Sequence, residues 1–131
     1  MNNEYSGKER RKFKRLNVDF TVFYRVNSPL LVRMRLGDKD IDALAVDISE
    51  GGIAVLTDYD VPALSIVTAR FTMLDENAIS AESRTRSIVV QGEVRYNILL
   101  EKEKEYRLGI EFIGLSDDDR NFIANFIRAQ G

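Results

Sequence analysis

The feature that most constrains this chain is the alternation of apolar residues in short runs. Val18, Phe20, Val22 and Tyr24 alternate with Asp19, Thr21, Phe23 and Arg25. Ile88, Val90, Gly92, Val94 and Tyr96 fall on one face of another run, and Tyr106, Leu108, Ile110 and Phe112 on one face of the next. A period of two is the pattern of a strand with one buried face. Val32, Met34 and Leu36 alternate with Arg33 and Arg35 and predict a further strand. The apolar runs Ile41–Val46, Ile53–Leu56 and Ile66–Leu74 predict three more. Asn27-Ser28-Pro29 and Gly37-Asp38-Lys39-Asp40 read as breaks between strands. Asp75–Arg86 is polar and predicts a mobile loop, and Asn97–Glu105 predicts the connection of an antiparallel hairpin. Many short strands with turn signals between them predict a mainly β fold, a closed barrel or a sandwich. Closure also removes the unpaired edges that such strands otherwise present.

One helix follows. Ser116 is suited to an N-cap, with Asp119 three residues later at capping-box spacing. Asp117, Asp118 and Asp119 put negative charge on the positive end of the helix dipole. Phe122, Ile123, Phe126 and Ile127 form a single apolar stripe, predicted to pack on the barrel.

With 131 residues the chain reads as one domain with a real core. No apolar run approaches the roughly 20 residues of a membrane span. The first residues lack the apolar stretch of a signal peptide, so the expected location is cytoplasmic. Absent cysteine and histidine remove thiol nucleophiles, Ser-His-Asp triads and typical zinc sites. No enzyme, metal or cofactor is expected.

Charge is concentrated near the start. The segment Glu9-Arg10-Arg11-Lys12-Phe13-Lys14-Arg15 is densely cationic in a chain of net charge -2. Residues 1–15 hold too little apolar surface to fold alone and are expected to form a flexible arm ahead of a domain at 16–131. Asp47-Ile48-Ser49-Glu50-Gly51-Gly52 is a polar turn with two glycines between strand-like runs. A charge run is commonly a solvated face, and two glycines commonly mark a hairpin turn. Arginine forks, however, suit phosphates and the acceptor edge of guanine, while a carboxylate suits the guanine N–H donors. The Arg33/Arg35 and Arg84/Arg86 pairs have no motif around them and read as surface charge.

Arg11-x-x-x-Arg15 and Asp47-x-Ser49-x-x-Gly52 resemble the paired RxxxR and (D/N)xSxxG motifs of the PilZ domain family. Tyr106-Arg107-Leu108-Gly109-Ile110-Glu111-Phe112 with the capped acidic helix is similar to the usual end of that domain. The resemblance implies a six-stranded antiparallel barrel with a C-terminal helix, and a receptor for cyclic di-GMP. It implies that Arg11, Arg15, Asp47, Ser49 and Gly52, with Gly51 beside them, contact the ligand. Arg10 stands just before RxxxR, where an arginine goes in this family with an intercalated pair of ligand molecules. Arm ordering on the ligand would then present a new surface to a downstream protein partner. Two other readings stay open: a basic-armed barrel that binds nucleic acid, or an adaptor working through protein contacts alone. The acidic sequence pI of about 5.3 and the lack of an aromatic row count against the first.

Overall fold

The computed structural model describes residues 13–74, 80 and 84–130. Six strands carry most of the chain: β1 (Leu16–Ser28), β2 (Ile41–Ile48), β3 (Gly52–Thr57), β4 (Ile66–Leu74), β5 (Thr85–Leu100) and β6 (Glu105–Ile113). They close into an antiparallel barrel in the order β1-β2-β3-β6-β5-β4. Among the described residues two helices accompany them, α1 (Leu30–Leu36) and α2 (Asp117–Gln130).

The alternation read in the sequence is the alternation of inside and outside. Val22, Tyr24 and Val26 of β1 are buried, and Thr21, Phe23 and Arg25 between them are exposed. The interior is filled by residues such as Ile48, Ile53, Val67, Ile88 and Leu108, each fully or almost fully buried. At about 1.5–3 kcal/mol for each fully buried aliphatic side chain, this interior is the main favourable term in folding. Tyr24 brings a hydroxyl into it, and that hydroxyl is satisfied by Thr57 Oγ1 at 2.7 Å. Phe20, Phe71 and Phe112 stack in series, with ring centroids 5.7 Å and 6.2 Å apart.

Helix α2 is built as expected. The Asp119 N–H donates to Ser116 Oγ at 3.1 Å, and Ile123 and Ile127 join the barrel core with Phe122 and Phe126 packed against it. The Asp119 carboxylate accepts from Arg86 Nε at 2.7 Å rather than completing the capping box. Arg86, expected as plain surface charge, therefore ties β5 to the first turn of α2, and its guanidinium also lies 5.9 Å from the Phe122 ring. Arg120 of the same turn reaches Glu50 O at 3.4 Å. These contacts seat α2 across the barrel end that holds the β2–β3 turn.

Three expectations are corrected. The predicted strand Val32–Leu36 is helix α1. Only Val32 and Leu36 are buried there, an i, i+4 spacing, while Met34 is 68% exposed. The even-numbered apolar residues satisfied both periods, and the good helix formers Leu, Arg and Met decide for the helix. It ends at Gly37, whose φ of 85° requires glycine and whose N–H donates to Arg33 O. The predicted connection Asn97–Glu105 is mostly strand. β5 continues to Leu100 in register with β6 (Asn97↔Leu108, Leu100↔Glu105), so the turn shrinks to Glu101–Lys104. The third correction, the face of Tyr96, belongs to the site. Of the predicted loop Asp75–Arg86, Thr85 and Arg86 belong to β5, and most of the rest lies outside the described residues.

Candidate functional site

Parity decides where the site forms. Opposite β3, strand β2 shifts register between Ala45 and Asp47, leaving Val46 as the extra residue. Ala45 points inward beside Val55, and after the bulge Ile48 points inward beside Ile53. Asp47 is thereby turned to the outer face, paired with Ala54. Opposite β6, strand β5 does the same between Val94 and Tyr96, with Arg95 as the extra residue. Val94 faces the core, and Tyr96 is turned outward opposite Gly109. A β-bulge re-aims the side chains beyond it. The sequence pattern put Tyr96 on the inward face because a period of two carries no sign of an inserted residue.

The result is one transverse row on the outside of the barrel, Asn17–Asp47–Ala54–Gly109–Tyr96, crossing β1, β2, β3, β6 and β5. Its middle members are nearly without side chain. A Cβ on Gly109 would stand 2.0–2.5 Å from atoms of the Tyr96 ring, so the ring lies directly on the glycine backbone. In this room Asp47 finds two arginines. Arg15 Nη1 donates to Oδ1 at 2.9 Å and Arg107 Nη2 to Oδ2 at 2.8 Å. The carboxylate side chain is only 12% exposed, against 35% for each arginine. Arg107 Nε also donates to Tyr96 Oη at 3.4 Å, and that bond, with the nearby Asp47 charge, holds its guanidinium above the ordinary arginine pKa.

The β2–β3 turn is closed by its own polar groups. The Gly51 N–H donates to Ser49 Oγ at 3.1 Å, and the Ser49 N–H to Gly52 O at 2.9 Å. Gly52 packs backbone to backbone on β6. A Cβ there would lie 2.3 Å from Ile110 O, which no side chain permits. Gly51 faces the Phe13 ring at 2.8 Å from its would-be Cβ, and the Arg120 guanidinium lies 5.9 Å from that ring's centre.

Between these groups opens a cavity of about 340 Å³. This lies within the range of about 300–1,000 Å³ typical of small-molecule sites. Phe13, Arg15, Ser49, Gly51 and Gly52 line one side, and Arg95, Tyr96, Gly109 and Glu111 the other. Arg95 is held between Glu93 at 3.1 Å and Glu111 at 3.2 Å. The wall thus offers two arginines, a carboxylate, two hydroxyls and two aromatic rings, the means to hold an anion and to stack or hydrogen-bond a planar base.

Of the residues singled out in the sequence, Arg15, Ser49, Gly51 and Gly52 line this cavity, and Asp47 stands behind Arg15 rather than on the wall. Arg10 and Arg11 lie outside the described residues, as does residues 1–12 of the expected arm. Arg107, Arg95, Tyr96, Glu111 and Phe13 were not singled out. Arg107 and Glu111 sit at the polar positions of the Tyr106–Phe112 alternation, which reads simply as an exposed strand face. Phe13 was visible as the one aromatic inside the basic run, the only signal that this run packs against anything.

A closed six-stranded antiparallel barrel with a helix over one end and an arginine–carboxylate cluster on its outer wall defines a small β-barrel binding domain. The chain belongs to the PilZ domain family, whose model matches residues 9–129. Among solved structures it is similar to the Bacillus subtilis inhibitor of motility MotI/DgrA (TM-score 0.70, 21% identity, 92% of this chain and 51% of that one). It is also similar to Escherichia coli YcgR in complex with c-di-GMP (TM-score 0.58, 12% identity, 92% and 46%). A third likeness is to the K. pneumoniae MrkH–c-di-GMP complex (TM-score 0.59, 16% identity, 92% and 52%). At these identities the likeness is one of fold, and the chain spans about half the length of each of the three. Comparison with curated proteins returns no match. No helix among the described residues is long and apolar enough to cross a membrane.

Proposed function

We propose that this protein is a receptor for cyclic di-GMP, and that it works by binding rather than by catalysis. The observation that carries the reading is the meeting of the two family motifs: Arg15 of the first and Asp47 of the second join at 2.9 Å beside a cavity that Ser49 and Gly52 also line. Two of the solved PilZ-type chains described above hold this nucleotide. Cyclic di-GMP carries two phosphates and two guanines, and the cavity wall presents partners for both. Arg15 forks towards a phosphate or the guanine O6/N7 edge. Ser49 and the Gly51–Gly52 backbone line the cavity beside Arg15. Arg10 and Arg11 reach the ligand from the arm, and Arg10 recruits a second nucleotide. A ligand acts only through a difference in its contacts between two states of the chain. Arm closure over the bound ligand supplies that difference here, and the composite surface of arm, ligand and barrel engages a downstream protein.

Isothermal titration calorimetry tests the reading. Cyclic di-GMP should bind with a Kd of micromolar or below, about -8 kcal/mol or better. GTP and GMP should bind far more weakly, since neither can engage both halves of the site. Absence of heat with cyclic di-GMP, together with binding of single-stranded oligonucleotides, would transfer the site to the nucleic-acid reading. Silence with both would leave the adaptor.

A further inference from the structure

We infer that Glu111 is a second guanine-reading carboxylate of this site, a specificity-determining residue outside both motifs. The inference rests on the cyclic di-GMP reading and deepens it. Asp47 is the acidic residue of the motif, yet both its oxygens are taken by Arg15 and Arg107, and it does not line the cavity. The carboxylate that does line the cavity is Glu111. Its side chain is 58% exposed, and its one ion-pair partner among the described residues is Arg95, itself 56% exposed. Glu111 is paired in register with Gly52, which also lines the cavity and whose backbone packs directly on β6 beside it. The cavity is therefore flanked by two arginine–carboxylate units, Arg15 with Asp47 and Arg95 with Glu111. A ligand with two phosphates and two guanines calls for two such units.

The chemistry of the choice is that of the base edge. An ionised carboxylate only accepts hydrogen bonds. Guanine offers it two adjacent donors, N1–H and N2–H. Adenine puts an acceptor at N1, so the same carboxylate meets a lone pair there. Glu111 therefore favours guanine over adenine, not merely nucleotide over none. Glu93 separates this role from a purely structural one, because it also pairs with Arg95 but does not line the cavity.

The experiment is calorimetric titration of wild type, Glu111→Gln and Glu93→Gln with cyclic di-GMP and with cyclic di-AMP. Glutamine at position 111 keeps the shape at a largely exposed position and can donate to adenine N1. Loss of one charge-assisted pair on guanine converts to about tenfold or more in affinity. Glu111→Gln should therefore lower the preference for cyclic di-GMP over cyclic di-AMP by about tenfold or more, while Glu93→Gln leaves that ratio as in wild type. An unchanged ratio in Glu111→Gln, or an equal fall in both variants, overturns the Glu111 role while leaving the receptor standing. Wild type that binds no cyclic di-GMP removes both readings together.

Discussion

Arg107 reaches Asp47 across sixty residues of sequence and bonds its Oδ2 at 2.8 Å. Together with Arg15 on Oδ1, it leaves the most buried carboxylate of the cluster fully paired before any ligand arrives. Binding is then an exchange. Arg15, which both lines the cavity and holds Asp47, must be shared between the ligand and the carboxylate behind it.

Removing the carboxylate should be felt in the free protein. Asp47→Ala leaves two half-buried guanidinium groups facing one another without their common partner. A cost of about 1–3 kcal/mol in folding stability is expected, at the lower end because both arginines remain partly hydrated. Urea unfolding of the ligand-free protein measures it, and wild-type stability would show that the cluster is held by other contacts.

Arg15→Ala should behave differently. It takes one of two partners from Asp47 and a fork from the cavity. Stability should fall by about 1 kcal/mol or less, because the arginine is 35% exposed, while cyclic di-GMP affinity falls by several kcal/mol once both bonds of the fork are lost. Thermal unfolding and calorimetry on the same sample separate the two effects. Unchanged affinity would place the ligand elsewhere.

The two glycines of the site make opposite tests. Gly52→Ala drives a Cβ into Ile110 O, a backbone atom, and should destabilise the barrel by about 1–3 kcal/mol. Gly109→Ala meets first the Tyr96 ring, a side chain rather than backbone. It should cost less stability and more affinity, since the ring leaves the cavity wall. Denaturant midpoints and titrations of both variants check the pairing, and an equal loss of stability in both would show that the ring is fixed.

Stoichiometry tests the arm. If Arg10 recruits a second nucleotide, calorimetry should saturate near two ligands per chain, and Arg10→Leu should bring it towards one. A ratio of one in wild type discards that role alone.

The Tyr24 phenol gives a pH prediction. Burial pushes its pKa up to about 12, against the lowering effect of the Thr57 hydrogen bond. In the unfolded chain it ionises near its usual value of about 10. Between those two values the unfolded state has already released the proton that the native state keeps. Stability is therefore fully present below about pH 10 and falls as pH rises towards about 12, by up to about 3 kcal/mol from this group. Denaturant midpoints across that window should fall less steeply in Tyr24→Phe, and parallel slopes would assign the loss to other groups.

How much of this was legible in the sequence follows from what the side-chain period can and cannot carry. The runs of β1, of β5 up to Val94 and of β6 showed their inward faces because nothing interrupts the alternation where they are most buried. The Ser116 cap and the stripe through Ile127 fixed α2, since capping and amphipathicity are local properties. Val32, Met34 and Leu36 misled because residues spaced by four satisfy the period of a strand and of a helix alike. At the site, Arg15, Ser49 and Gly52 were found through their motifs. Arg107 and Glu111 were not, because they act from the outer face of a strand, and their partners lie on other strands.

The bulges at Val46 and Arg95 have a consequence for how the site is encoded. Each acts as a frame shift in three dimensions: everything after it exchanges inside for outside. A regular strand of the same residues, without the bulge, would turn the Asp47 carboxylate into the barrel and push Ile48 towards water, whereas deleting Val46 would leave Asp47 opposite Ala54 and Ile48 opposite Ile53. A β5 without its bulge would likewise drive Tyr96 inward and strip the ring from Gly109. The binding surface is thus written in the count of residues along β2 and β5 as much as in their identities. Both motifs can be read in the sequence without the parity that aims their side chains being visible there.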